Sequence, residues 1–205
     1  MASAPQAVAG ARCFPSNFGS LVVDRSHLGL PLIVAPTARH GSLSLDVWSP
    51  ADADEMGAFW ARNRAFFEPT QRHRPEGHWT ADGQRDRIAR NSSDLAAGRL
   101  LPFLIWEDGS LVGELMLSDI AANGPAALGY GIDSARLRRG IASEAVNAVL
   151  QLAFGRLGQS AVETTTGQGN VGSQQVLIRN GFVLLGRAMS TAGDDGHERW
   201  RVVAP

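Results

Sequence analysis

A helix that is apolar nearly all the way round can only lie inside a protein, and residues 141–156 read as such a helix. Ile141, Ala145, Val146, Val149, Leu150, Leu152, Ala153 and Phe154 cover its circumference, so it must be buried, and a sheet is broad enough to bury it. Just before it, residues 127–132 form a short apolar run that reads as a strand. A loop carrying Arg136, Arg138, Arg139 and Gly140 joins the two. Strand, basic loop and helix start in that order make an anion trap. The first-turn N–H groups have no intrahelical acceptor, and the helix dipole places partial positive charge there. Gly140 lets main chain approach a ligand closely because it has no Cβ. The window alone fits a solvated basic turn equally well, so the rest of the chain has to decide.

The flanking pattern is mixed. Leu43, Leu45 and Val47 alternate with polar residues, as a half-buried strand does. Ser49-Pro50 reads as an N-cap with proline at the first helical position. Met56, Phe59, Trp60, Asn63, Phe66 and Phe67 then form a helical stripe up to Pro69. Residues 70–80 are polar, carry His73 and His78, and read as a loop; residues 82–97 read as a second, more polar helix. Strands are expected at 100–106 and 111–117, joined by a hairpin turn with Asp108-Gly109 at its centre. After the buried helix come a β-branched strand at 161–166 and a short helix at 171–180 that Gly181 stops. The closing strands are expected at 182–185 and 197–203.

Residues 1–40 are rich in Gly, Pro, Ala and Ser and lack helical period, so they read as a partly irregular N-terminal extension with short strands at 21–23 and 32–34. Residues 41–205 read as one domain. The order predicts an α/β (α+β) fold with a mixed, mostly antiparallel sheet of six to seven strands and helices on both faces. It lacks the repeated βαβ unit of a doubly wound dinucleotide fold.

Composition narrows the function classes. A formal net charge of −1 argues against coating nucleic acid, so any anion site must be local. Cys13 is the single cysteine, which excludes an intrachain disulfide and a multi-cysteine zinc site. No apolar run approaches the roughly 18 residues of a membrane span. The expectation is a cytoplasmic protein with no metal, no membrane partner and no nucleic acid.

Four stretches resemble the GNAT superfamily of acyl-CoA-dependent N-acetyltransferases, and within it the RimJ/RimL-like branch of ribosomal-protein alanine and serine N-acetyltransferases. Asn63-Arg64-Ala65-Phe66-Phe67-Glu68-Pro69 is similar to the end of that branch's first helix. Leu128 to Ile132 followed by Arg139-Gly140-Ile141-Ala142-Ser143-Glu144-Ala145 resembles its cofactor strand and pyrophosphate loop. Asn170, Ser173, Asn180-Gly181-Phe182 and Gly186 match an Asn-x-x-Ser run ending in a Gly-Phe turn, and residues 196–200 resemble the closing hairpin. There are departures. Leu137 stands where the loop usually has Gln or Arg, Phe67 stands where the branch often has Trp, and His197-Glu198-Arg199-Trp200 replaces a Trp-Arg-Asp-His pattern.

The resemblance implies acetyl-CoA as co-substrate and an amine acceptor, either a protein N-terminus or a small molecule, and it admits a homodimer. It implies that the main chain of Arg138, Arg139, Gly140, Ile141, Ala142 and Ser143 holds the diphosphate. The edge at Tyr130, Gly131 and Ile132 would pair with the pantetheine arm. Asn170 either binds that arm or caps the following helix. Ser173 either gives a proton to the departing thiolate or serves as a first-turn cap. Tyr130, the only tyrosine, reads as packing on the cofactor strand. The branch's carboxylate base falls near Ala121 or Ala122 here, which leaves Asp119 and Glu114 as the nearby candidates. Phe66, Phe67, His73 and His78 border the acceptor side.

An α-amine with a pKa near 8 is roughly a tenth neutral at pH 7, whereas a lysine amine is neutral in about one molecule per few thousand. A missing base therefore favours a weakly basic acceptor attacking the thioester directly. An acyl-enzyme route finds no support, because Cys13 lies in the extension without a partner base. The rival expectation is an acyl-CoA-binding or sensing module without turnover.

Overall fold

Leu43, Leu45, Phe103 and Ile105 are buried on one face of a sheet and Leu104 and Trp106 lie on the other, as period-two alternation requires. The computed structural model describes residues 33–37, 40–69, 74–120, 124–187 and 196–205. The strands among them are β1 (Ile33–Thr37), β2 (His40–Val47), β3 (Leu101–Glu107), β4 (Ser110–Ser118), β5 (Ala126–Ile132), β6 (Ala161–Gly167), β7 (Val183–Arg187) and β8 (His197–Val203). They form one eight-stranded sheet in the order β1-β2-β3-β4-β5-β6-β8-β7. Every neighbouring pair is antiparallel except β5 with β6. This is the expected mixed, mostly antiparallel architecture. Its edge strand β1 lies in the stretch assigned to the extension and pairs with β2 from Ile33↔Leu45 to Thr37↔His40. The expected strand at 21–23 and Cys13 lie outside the described residues.

Helices cover both faces. Helices α1 (Ala53–Arg62), α2 (Arg64–Phe67) and α3 (Ala81–Ala96) lie on one side, where Met56, Phe59, Trp60, Phe67 and Ile88 pack with Trp48, Leu104 and Leu111. Helix α4 (Ile141–Gly155) lies on the other, burying Ile141, Ala145, Val146, Val149 and Ala153 against Leu45, Phe103, Leu115 and Leu128. Helix α5 (Val171–Arg179) joins that side through Leu177. Among the described residues, no helix is long and apolar enough to cross a membrane.

Breaks in regular structure at Asn63 and Gly113 both position side chains around β5. The helical stripe expected to run unbroken to Pro69 divides at Asn63 into α1 and α2. Asn63 is buried; its Nδ2 donates back to the Phe59 carbonyl, and its Oδ1 faces the loop after β5. In β4 the register with β3 shifts, so that Ile105 faces Gly113 while Trp106 faces Leu111. A Cβ on Gly113 would stand 2.7 Å from the Gly131 carbonyl oxygen, so this bulge needs glycine. Beyond it, Leu115 and Leu117 point to the α4 side, while Met116 and Glu114 face α1 and α3.

Candidate active site

Strand β5 is the hinge of the site. On one side it pairs with β4 all the way from Ala127 to Ile132. On the other it meets β6 only at Ala126↔Val162 and Ala127↔Glu163. Strand β6 meanwhile stays paired with β8 as far as Gly167↔His197. The two strands therefore splay into a V, and no strand among the described residues lies beside the β5 edge at Leu128–Ile132. Tyr130 spans the opening: its hydroxyl lies 2.8 Å from Ser173 Oγ and 3.3 Å from the Ser173 carbonyl oxygen. Burial pushes the Tyr130 phenol up to about 12, a shift the Ser173 hydrogen bond only partly offsets, so Tyr130 keeps its proton at neutral pH.

Both helices that follow these strands start at the open end of the V. Gly140 caps α4 with φ 92°, a left-handed conformation that costs glycine little. It has no side chain to take the first-turn N–H groups, and the first backbone bond of the helix runs from Glu144 N–H to the Gly140 carbonyl. The Ser143 hydroxyl, in the same turn, is buried with no hydrogen-bond partner among the described residues. Arg138 also has positive φ, at 62°. Free N–H groups, an unpartnered buried hydroxyl and a basic loop fit an anionic group on an extended ligand. At α5, Asn170 is the cap: its Oδ1 accepts from the Ser173 N–H at 3.0 Å. Asn180, which follows the last residue of α5, donates from Nδ2 to the Ser143 carbonyl at 3.2 Å and ties the end of α5 to the start of α4.

Distant residues pin the loop between β5 and α4. Asn63 Oδ1 accepts from both the N–H and the hydroxyl of Ser134, at 2.9 and 3.0 Å. Arg62 Nε sits 2.8 Å from Asp133. Burial would raise the Asp133 carboxyl, but the Ala135 N–H and the Arg62 guanidinium outweigh it and hold the group below its ordinary value. Arg139 pairs with the buried Glu107 at 3.0 Å, and Arg136 approaches the same carboxylate at 3.5 Å. The Arg139 side chain thus braces the loop against the β3–β4 hairpin, while its main chain lies at the mouth of α4.

The α1–α3 face of β5 carries a cleft of about 670 Å³. Gly129 and Gly131 form its floor, and Trp60, His78, Arg87, Arg90 and Glu114 stand in its walls. A Cβ on Gly129 would meet only open space, so the floor there is bare main chain. Arg87 and Glu114 are both 8% exposed and form a two-point ion pair at 2.7 and 2.5 Å. Gln84 Oε1 accepts a further bond from Arg87 at 3.1 Å, and the guanidinium lies 4.6 Å from the Trp48 ring centroid. Both oxygens of Glu114 are therefore occupied. His78 is buried 4.3 Å from Trp60, its Nε2 without a partner. Burial lowers its pKa to about 4, with Arg74 and Arg87 adding to the effect and Glu114 opposing it, so the ring is neutral at pH 7.

The other expected site residues divide between these two regions and the surface. Tyr130, Gly131, Ile132, Asn170 and Ser173 gather at the V, and residues 138–143 at its open end. Glu114 and His78 meet in the cleft wall, but Asp119 is exposed beyond the end of β4 and does not line the cleft. Phe67 is buried against Trp60 and Gly131. Phe66 is exposed and meets the Phe67 edge, and neither phenylalanine lines the cleft. His73 and Ala121–Ala122 lie outside the described residues. Sequence reasoning missed Trp60 and the arginines Arg74, Arg87 and Arg90. The available signal was the spacing of Gly83, Arg87, Arg90 and Asn91, which puts them on one helical face.

Residues 42–183 match the family model described as an acetyltransferase (GNAT) domain. Among curated proteins the chain is similar to the probable N-acetyltransferase YjcK of Bacillus subtilis. The two are 34% identical over 135 residues, which span 64% of this chain and 75% of that one. Among solved structures it is similar to the ribosomal-protein-S5-alanine acetyltransferase of Vibrio fischeri, with a TM-score of 0.72 and 21% identity, covering 78% of this chain and 92% of that one. It is also similar to Mycobacterium smegmatis RimJ in complex with CoA-disulfide, with a TM-score of 0.71 and 24% identity over 85% of this chain and 86% of the other. At these identities the structural likeness speaks to the fold.

Proposed function

The chain belongs to the GNAT acetyltransferase family, and from that premise we propose that it moves an acetyl group from acetyl-CoA to an α-amine by direct attack in a ternary complex. One observation carries the reading: β5 is fully paired with β4 yet open to β6 beyond Ala127. An extended ligand can hydrogen-bond to that free edge as an added strand would. In this reading Tyr130, Gly131 and Ile132 hold the pantetheine arm. The main chain of Arg138 to Ser143 holds the diphosphate at the start of α4, where free N–H groups and helix dipole act together.

Bound acetyl-CoA supplies an activated acetyl group. The amine enters through the cleft on the opposite face and meets the thioester over Gly129, where no side chain intervenes, while Phe67 and Trp60 pack over Gly131. An N–H on the rigid β5 edge is suited to stabilise negative charge developing on the carbonyl oxygen. The Ser173–Tyr130 hydroxyl pair delivers a proton to the departing sulfur. That demand is modest, because a free thiol has a pKa of about 8.5.

Proton removal from the amine falls to water. Arg87 occupies both oxygens of Glu114, His78 is too weak a base near pH 7, and Asp119 lies away from the cleft. This favours an α-amine, already roughly a tenth neutral at pH 7, over a lysine side chain. The name of the Vibrio fischeri neighbour, a ribosomal-protein alanine acetyltransferase, supports a protein N-terminus as acceptor.

Thiol release from acetyl-CoA in the presence of peptides and small amines, with mass spectrometry of the products, tests the reading. Transfer to α-amines in preference to lysine side chains is expected. Saturable binding of acetyl-CoA without acetylation of any amine would leave a sensing module in place of this mechanism.

A further inference from the structure

Among the described residues, the walls of the acceptor cleft carry more positive than negative charge. Arg74, Arg87 and Arg90 face it, against Asp86 and Glu114. Arginines elsewhere on this side of the molecule are matched with carboxylates: Arg64 with Glu68 and Glu76, Arg85 with Asp54 and Asp82, Arg99 with Asp94. Within the cleft, Arg87 is matched with Glu114. Arg90 is different. It stands one turn beyond Arg87 on α3 and faces the cleft, yet no carboxylate among the described residues pairs with it. Asp86 lies one turn before Arg90 and forms no ion pair with it.

A titrating group inside the cleft registers the imbalance. His78 is depressed first by burial, then by Arg74 and Arg87, and Glu114 does not cancel them. Arg74 is itself lowered, first by desolvation and then by Arg87. An ammonium group arriving beside these residues meets the same field. It is pushed toward the neutral, nucleophilic amine, which offsets the lack of a catalytic base. The same field repels a polycationic acceptor, so binding must come from elsewhere on the acceptor.

We propose, on the acetyltransferase reading above, that the acceptor carries an anionic group, a carboxylate or a phosphate, close to its amine, and that Arg90 receives it. A planar guanidinium takes either group through paired N–H donors. Arg87 is already committed to Glu114 and Gln84, so its role is to hold the wall and add to the field. Arg90 is exposed, so salt weakens the preference.

The test uses peptide amides with N-terminal alanine followed by Asp, phosphoserine, Asn or Lys, with kcat/KM measured at low and high salt. The Asp or phosphoserine peptide should exceed the Asn peptide by about tenfold at low salt, with the Lys peptide slowest. The faster of the two anionic peptides tells carboxylate from phosphate. Arg90→Glu should reverse the order in favour of the Lys peptide and leave acetyl-CoA affinity unchanged. Equal rates for all four, preference for Lys, or an unaltered order in Arg90→Glu would overturn the inference while the acetyltransferase reading stands. If no peptide turns over, calorimetry of the N-acetylated Asp and Lys peptides with the CoA-loaded protein decides. Equal binding overturns the inference, whereas failure to bind acetyl-CoA at all overturns the acetyltransferase reading itself.

Discussion

The two sides of β5 are built on different principles. At the V and the start of α4, the groups that face a ligand are main-chain N–H and C=O, exposed because β6 turns away and because Gly140 caps the helix without a side chain. In the cleft on the other face, the groups that face a ligand are side chains held by one another: Arg87 by Glu114, Gln84 and Trp48, and His78 by Trp60. A main-chain site tolerates many side chains as long as the backbone keeps its path. A side-chain site is only as stable as its partnerships. The first suits a co-substrate common to a family, and the second suits an acceptor that differs from one member to the next.

The sharpest way to break that contrast is Glu114→Ala. It leaves the Arg87 charge buried and unpaired, and a stability loss of about 3–5 kcal/mol is expected in urea unfolding. A loss below about 1 kcal/mol would mean that the cleft wall is as tolerant as the loop. On the opposite side, Gly140→Trp forces a bulky residue into the left-handed conformation at the mouth of α4. Acetyl-CoA affinity should fall ~100-fold or more by calorimetry, and an unchanged affinity would remove the diphosphate from that turn.

A pH series sharpens the comparison within the cleft. The folded pKa of His78 is about 4, below its ordinary 6.5, so below pH 6.5 the unfolded chain binds the extra proton first. Stability is therefore lost as pH falls from 6.5 toward 4, by roughly 2 kcal/mol at pH 5. His78→Asn should flatten that part of the profile when the two proteins are unfolded in parallel. Ser173→Ala should lower kcat roughly tenfold with little change in acetyl-CoA affinity, since the thiolate needs only modest help. Equal rates would reduce Ser173 to a first-turn residue of α5. The smallest effect expected is Arg138→Ala, with less than about threefold change in acetyl-CoA affinity, because the backbone there does the binding.

The V side was largely legible in the sequence. An apolar strand, a basic loop with glycine and a helix without a polar face are local patterns, and they led to residues 128–143, whereas Ser173 came from the resemblance carried by Asn170-x-x-Ser173. The cleft side was much less legible. His78 and Glu114 were singled out, but Asp119, Phe66 and Phe67 do not line the cleft, and Arg87 and Arg90 passed as the solvated face of a polar helix. Gln84 and Arg87 occupy buried positions of α3 where an apolar period would be expected, because they carry their own partners inward.

What the sequence determined by itself is the set of elements, the mixed sheet and the glycine-capped start of the buried helix, since backbone conformation and hydrogen-bonding capacity follow from neighbouring residues. The tertiary structure decided which side chains became partners. Glu114 meets Arg87 across 27 positions, and Ser173 meets Tyr130 across 43. No local preference encodes such distances. They arise only when the bulge at Gly113 turns Glu114 toward α3, and when the splay between β5 and β6 leaves Tyr130 room to reach α5.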